Sequence, residues 1–301
     1  MVEKKEHYYF NHEKITILDE DLGIDLSVKS NLPIVPKNFQ EPSSYVDLGF
    51  SLQLLKNSDG CIFQAYIEHN GQLHGQWLLY YPDGSIKSEL YYKEGELHGP
   101  SSFYSSNGSL ISQSWYIDGK RHGKFKQFYL DGSPYCTQRY NMGMREGKQE
   151  YFYEDGSLKT LMHFKDDLQL GITKLYYPNR QLKREIEFQD GKKMGRDRFW
   201  NKSGLLIEES YYKEHIRYKT YRRWHSNGKL ALEYSYHEST TLYDETAWDI
   251  EGNKINSAIY NPEDHSYTRC VYNKNGKATI VSKGTWDGKE VINTYFKSDE
   301  E

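Results

Sequence analysis

Apolar and polar positions along this chain alternate in short bursts. Segments of about six to eight residues rich in Tyr, Phe, Leu and Ile are separated by Gly-containing polar turns. Helices need uninterrupted runs of at least about 10–12 residues, so these segments read as β-strands. The stretch "YYPDGSIKSELYYKEGELHG", Tyr80 to Gly99, holds two such strands and two turns.

The punctuation is periodic. Stepping by 24 from Gly60 gives Gly84, Gly108, Gly132, Gly156, Arg180, Gly204, Gly228, Gly252 and Gly276, nine glycines in ten positions. A second series is aromatic throughout: Tyr80, Tyr104, Phe128, Phe152, Tyr176, Trp200, Trp224, Trp248 and Tyr272. So is a third, from Tyr92 through Tyr116, Tyr140, Phe164, Phe188, Tyr212 and Tyr236 to Tyr260. Gly75 leads to Gly99, Gly123, Gly147, Gly171 and Gly195, then gives way to Lys219. Asp167 and His215 replace glycine at the second turn. A fixed period of this length marks a repeat architecture.

Each unit reads as a β-hairpin. Pro82 and Asp83 suit the centre of a type I turn, and Gly84 the left-handed residue of a three-residue loop with a bulge. That loop sets Tyr80 opposite Ile86. By alternation Leu78, Ser88, Leu90 and Tyr92 share their face, so the aromatic columns are expected to form one spine along one face. The predicted fold is all-β: an elongated, twisted, single-layer antiparallel sheet of about ten 24-residue hairpins, roughly 90–100 Å long. Residues 50–297 carry the repeats, degenerate after about 215. Residues 1–49 form an N-terminal extension or cap, and 298–301 an acidic tail. Within the extension, "ITILDEDLGIDLSV" is expected to make one or two short strands covering the first sheet edge. "NLPIVPKNFQEPSS" reads as an extended connector. A different local shape near Tyr243 to Tyr267 is left open.

These residues resemble MORN-type repeats, in the variant found in bacterial proteins of the YwqK antitoxin-like family. Gly71 to Gly95, "GQLHGQWLLYYPDGSIKSELYYKEG", is the best copy, and the likeness runs from about Asp59 to Glu238. The resemblance implies a non-enzymatic interaction or assembly surface, with toxin neutralisation as the role associated with that group. It implies no catalytic residue.

Composition narrows the field. Tyr supplies 28 residues and the net charge is -4, so overall basicity gives no sign of nucleic-acid binding. No apolar run approaches the ~20 residues of a membrane helix, and the start lacks the apolar core of a secretory signal. Cys61, Cys136 and Cys270 stand apart without a motif, which fits a reducing compartment. The chain reads as cytoplasmic, although export without a leader would leave no mark in these residues.

Several residues invite chemistry. His74, His98 and His122 recur at the repeat spacing, but successive repeats lie roughly 10 Å apart, too far to share one metal. They read as turn residues. The column Glu89, Glu185, Glu209 and Glu233 reads as the polar face of a sheet, because an open ribbon gives acid and base no shared pocket. No cofactor or metal is expected. The stretch 174–229 is locally basic, with Arg180, Lys183, Arg184, Lys192, Lys193, Arg196, Arg198, Arg217, Lys219, Arg222 and Arg223. Either it docks an acidic protein, an anionic lipid surface or nucleic acid, or it is a solvated face. Trp200, Tyr221 and Trp224 would suit base stacking, yet two of them occupy repeat columns. The leading expectation is binding of a partner protein along the sheet. Binding of an anionic lipid surface, or a scaffold or exported host-interacting role, is the alternative.

Overall fold

A computed structural model describes residues 18–19, 24–25, 32–238, 242–286 and 291–295. The chain divides after Leu168 into two compact units. The first carries Phe50–Lys56, Ile62–His69, Gln72–Tyr80, Ile86–Lys93 and Glu96–Tyr104, then onward to Leu158–Lys165. The second runs from the strand Leu168–Tyr176 through Leu182–Gln189, Lys192–Trp200, Leu206–Lys213 and Ile216–Trp224 to Val291–Tyr295. Inside each unit every strand pairs antiparallel with its chain neighbour, and the sheet is all-β with almost no helix.

Two turn types alternate. At the first, the Gly84 amide donates to the Tyr81 carbonyl (2.9 Å) and the Tyr81 amide to the Ser85 carbonyl (2.8 Å). Gly84 has φ 83°. This is the expected three-residue loop, and Tyr80 does face Ile86. Arg180 takes the same left-handed slot at φ 67°, while Asn179 beside it accepts the Gln181 amide at 3.2 Å. At the second turn both central residues are left-handed: Glu94 with Gly95, Asp166 with Asp167, Glu214 with His215. That is the type I′ geometry whose twist matches paired strands. Lys219 likewise adopts φ 61° in the slot other repeats fill with glycine. The backbone shape therefore outlasts the glycine pattern that revealed it.

The bulge corrects the expected spine. Leu79 pairs with Ser88 and Tyr80 with Ile86, so Lys87 is the extra residue. One extra residue inverts the side-chain alternation beyond it. Leu78 shares a face with Tyr80, Glu89 and Tyr91. Ser88, Leu90 and Tyr92 lie on the opposite face with Leu79, Trp77 and Gly75. The two aromatic columns thus occupy opposite faces of the sheet.

Successive repeats are also tied at their edges. The Gly95, Gly119 and Gly143 amides donate to the Leu73, Leu97 and Arg121 carbonyls of the preceding repeat. At the other edge the Tyr81, Tyr129 and Tyr177 hydroxyls donate to the Tyr104, Phe152 and Trp200 carbonyls, each at 2.9 Å.

Residues 32–49 pack across one face of the first strands. Val35 and Tyr45 form a buried cluster with Ala65, Ile67 and Leu78, lined by Phe39, Phe50, Leu52, Leu54, Ile62 and Tyr80. The Gln76 amide donates to the Pro33 carbonyl and the Val35 amide to the Gln76 side chain, both at 2.9 Å. The connector also contains an unexpected helical turn, Ser43–Asp47, which places Tyr45. Glu41 accepts the Leu52 amide at 2.8 Å. Leu18–Asp19 and Ile24–Asp25 pair with each other, and the rest of the expected edge cover lies outside the described residues. Around Tyr243 the strands persist: Tyr236 pairs with Tyr243 without a bulge, and a longer connection replaces the type I′ turn.

Candidate interaction surface

In the second unit the bulges sort side chains onto two distinct faces. On one, register places Lys174 beside Glu185, then Arg198, Glu209, Arg222 and Glu233 in directly opposed positions. Charges alternate along this ladder because basic and acidic residues occupy different columns of the same repeat. Lys174 reaches Glu185 at 3.4 Å, Arg198 reaches Glu185 at 2.8 Å and Arg222 reaches Glu233 at 2.6 Å. Two residues further along each strand stand Tyr176, Trp200, Trp224 and Trp248, with Leu182, Leu206 and Leu230 between them. All of these rings and leucines are half-buried. The Arg198 guanidinium lies 5.4 Å from the Trp200 ring centre.

The opposite face is tyrosine-rich. Tyr221 and Tyr234 pack with ring centres 5.3 Å apart, and Tyr234 stacks on Tyr243 at 4.4 Å. Tyr236 meets Tyr243 at 5.4 Å, and Tyr260 meets Tyr267 at 4.9 Å. Burial disfavours the phenolate and shifts the ionisation of Tyr221, Tyr234, Tyr243 and Tyr267 to higher pH, so each hydroxyl remains a donor at neutral pH. Arg217 donates to the Tyr212 hydroxyl at 3.1 Å and lies 4.8 Å from the Tyr221 ring centre. Beside this cluster Asp197 is buried and holds Arg184 through two bonds of 2.8 and 2.7 Å, with Lys193 at 3.0 Å. Burial pushes the Asp197 carboxyl up, but the Arg184 and Lys193 hydrogen bonds outweigh it and hold the group below its usual range.

The eleven basic residues therefore do not form one patch. Arg196, Arg198 and Arg222 lie on the ladder face, and Arg184, Lys193, Arg217 and Arg223 on the tyrosine face. Lys183 is a bulge residue over the Tyr177 ring at 5.5 Å. Arg180 and Lys192 sit at turns, and Lys192 pairs with Glu214 at 3.6 Å. Lys219 is held near the Tyr211 and Tyr218 rings at 5.9 and 5.4 Å. The acidic members of the ladder, Glu185, Glu209 and Glu233, belong to the same surface. Their column was visible in the sequence, but its pairing with the Lys174, Arg198 and Arg222 column needs the register. The tyrosine cluster has no periodic signal of its own: Tyr212 and Tyr236 belong to the series from Tyr92, which simple alternation puts on the Tyr80 face, and Tyr221, Tyr234 and Tyr243 belong to none of the series.

The repeat histidines act locally. The His74 ring accepts the Glu94 amide at 3.4 Å and the His122 ring accepts the Met142 amide at 3.3 Å. His98 approaches Asp118 at 3.2 Å. Burial lowers the basicity of His74, His122 and His163. No group of three His, Cys, Asp or Glu side chains among the described residues has metal-binding geometry. Burial pushes the Cys136 thiol up to about 11, which makes it a poor source of thiolate. No helix among the described residues is long and apolar enough to cross a membrane.

A family model described as a MORN repeat variant matches residues 73–94 and 145–166. Both windows begin at the same phase of the 24-residue period. No curated protein matches the chain. Among solved structures, a TcdB2-TccC3-Cdc42 complex is 12% identical over 84% of this chain and 15% of that chain, with a TM-score of 0.19. A TcdB2-TccC3 structure is 11% identical over 84% of this chain and 16% of that one, with a TM-score of 0.20. The chain thus spans only a small part of the toxin-complex chains it matches.

Proposed function

We propose that this chain is a non-enzymatic protein-interaction module that holds a partner protein along its repeat sheet, with the tyrosine face as the main contact. The observation that carries the reading is the cluster of Tyr212, Tyr221, Tyr234, Tyr236 and Tyr243 with Arg217 set against its rings. Tyr and Arg dominate the energetic centres of protein interfaces. They offer large contact area and a polar handle, and their rings lose little freedom on binding. Here the rings are already ordered by one another, which lowers the cost of association further.

The presence of MORN-variant repeats supports a repeat-based binding module. Within that reading the first assignment is an antitoxin- or immunity-like role, which rests on the resemblance to the YwqK-like group. A scaffold or an exported host-interacting protein is second. Binding to an anionic lipid surface is less well supported, because the cations are divided between two faces and the ladder interleaves them with carboxylates.

The test is retention of a partner from cells of the source on the immobilised full chain. Arg217→Glu with Arg223→Glu places two negative charges on the tyrosine face. The reading predicts that a stoichiometric partner held by the unaltered chain is lost from this variant. Equal retention overturns the assignment of the face. Flotation with phosphatidylserine vesicles at physiological salt is expected to leave the protein unbound; co-flotation would favour the lipid reading.

A further inference from the structure

The ladder face poses a separate question, because its charge order is specific. Lys174, Glu185, Arg198, Glu209, Arg222 and Glu233 run plus, minus, plus, minus, plus, minus along six adjacent strands. An alternating series with an even number of members is complementary to its own reverse. When one copy is turned end for end along the ladder, the first plus meets the last minus. Every other rung then also meets its opposite. We infer that this face pairs with the same face of a second copy of the chain.

The charge order selects one geometry. Two sheets stack face to face about 10 Å apart, with strands within roughly 30° of alignment. Two-fold symmetry then requires an axis lying in the interface. An axis along the ladder would set each rung against its own equivalent, plus on plus and minus on minus. An axis along the strands reverses the ladder and sets plus on minus throughout. It also keeps the aromatic stripe opposite itself, so Tyr176, Trp200, Trp224 and Trp248 with their intervening leucines meet the partner's stripe.

The stripe provides apolar contact, and the rungs arrive already paired within the chain. Lys174–Glu185, Arg198–Glu185 and Arg222–Glu233 thus bring compensated charge into the interface rather than bare ions. Seven strands about 4.8 Å apart and about 25 Å long present on the order of 800 Å². That matches the ~800 Å² that each partner buries in a standard specific interface.

This inference rests on the sheet being a binding surface, but it concerns the other face and fails separately. The experiment is sedimentation velocity on the full chain. The unaltered protein is expected at twice its 35.6 kDa monomer mass. Arg222→Glu with Glu233→Arg keeps an ion pair within the chain but sets like charges against each other at the two outer rungs at each end of the dimer. Like-charge opposition is costly, so this variant is expected to dimerise at least about 100-fold more weakly. Adding Lys174→Glu with Glu185→Lys restores opposite charges at every rung and is expected to recover the dimer. Recovery separates interface effects from misfolding, and the far-ultraviolet spectrum checks that all variants keep the sheet. An unaltered chain that stays monomeric at roughly 100 µM, far above the Kd of typical interfaces of this size, overturns the inference. A dimer indifferent to the first swap, or a first-swap variant not rescued by the second, also overturns it. A monomeric chain that still retains its partner through the tyrosine face would leave the proposed function standing.

Discussion

Gly75 and Gly171 occupy the same position of the repeat, four periods apart, yet alanine should affect them very differently. Gly75 has φ 110°, and a Cβ there would press into the carbonyl oxygen and ring of Pro33. Gly171 has φ 68°, and a Cβ there would meet nothing within 4 Å. Alanine at Gly171 thus bears only the left-handed backbone cost, about 1 kcal/mol. Alanine at Gly75 bears a rarer conformation, about 1–3 kcal/mol. It must also push Pro33 away, which breaks the hydrogen bonds from the Gln76 amide to Pro33 and from the Val35 amide to the Gln76 side chain. Each is worth about 1 kcal/mol. The lower end of the sum, about 3 kcal/mol, corresponds to roughly 150-fold more frequent opening, at a factor of ten for each 1.4 kcal/mol. Native-state hydrogen exchange reads this locally. The Val35 and Gln76 amides should exchange roughly 150-fold faster in Gly75→Ala, against about 5-fold near Ile172 in Gly171→Ala. Equal effects at the two sites, or an unchanged Val35 amide, would refute the claim that residues 32–49 are clipped onto the sheet through Gly75.

Other outcomes follow from the same geometry. Arg180→Gly removes a side chain from a left-handed exposed position and should raise stability by about 0.5–1 kcal/mol in a thermal melt, after allowing for the extra freedom of glycine when unfolded; a lower melting temperature would contradict the strain. Asp197→Ala leaves Arg184 and Lys193 without their shared carboxylate and should cost about 2–3 kcal/mol in urea, a figure reduced for the partial exposure of Arg184. His74, His122 and His163 are less basic folded than unfolded, so protons bind the unfolded chain first. Their contribution is complete above the ordinary histidine value of about 6.5 and is lost as pH falls below it, so the urea midpoint should drop between pH 7.5 and 5.5. Replacing all three with Gln should flatten that dependence.

Much of the fold was legible because glycine and aromatic residues mark a backbone that repeats. The Tyr80 to Ile86 pairing followed from "PDG" alone, since turn chemistry fixes hairpin register. The division of faces did not follow, because the register shift at Lys87 lies beyond the loop that the turn residues specify. Lys87 looks like any exposed lysine in the sequence, and only its unpaired position shows that alternation restarts after it. The packing of Val35 and Tyr45 was hidden for a similar reason: contacts between distant segments leave no periodic trace. The basic stretch 174–229 was evident as composition, but whether Arg198 meets solvent or Glu185 depends on which strands lie side by side. Lys219 and His215 show the converse case, where the sequence pattern lapses and neighbouring strands still impose the left-handed backbone.

If a partner protein sits on the tyrosine face, contact there must cover side chains from several strands at once. Hydroxyl-radical footprinting of the full chain, alone and with its retained partner, tests this directly. Joint protection is expected of Tyr212, Tyr234, Tyr236 and Tyr243, which lie on three strands of one face. Protection confined to a single hairpin turn, or none at these tyrosines, would contradict it.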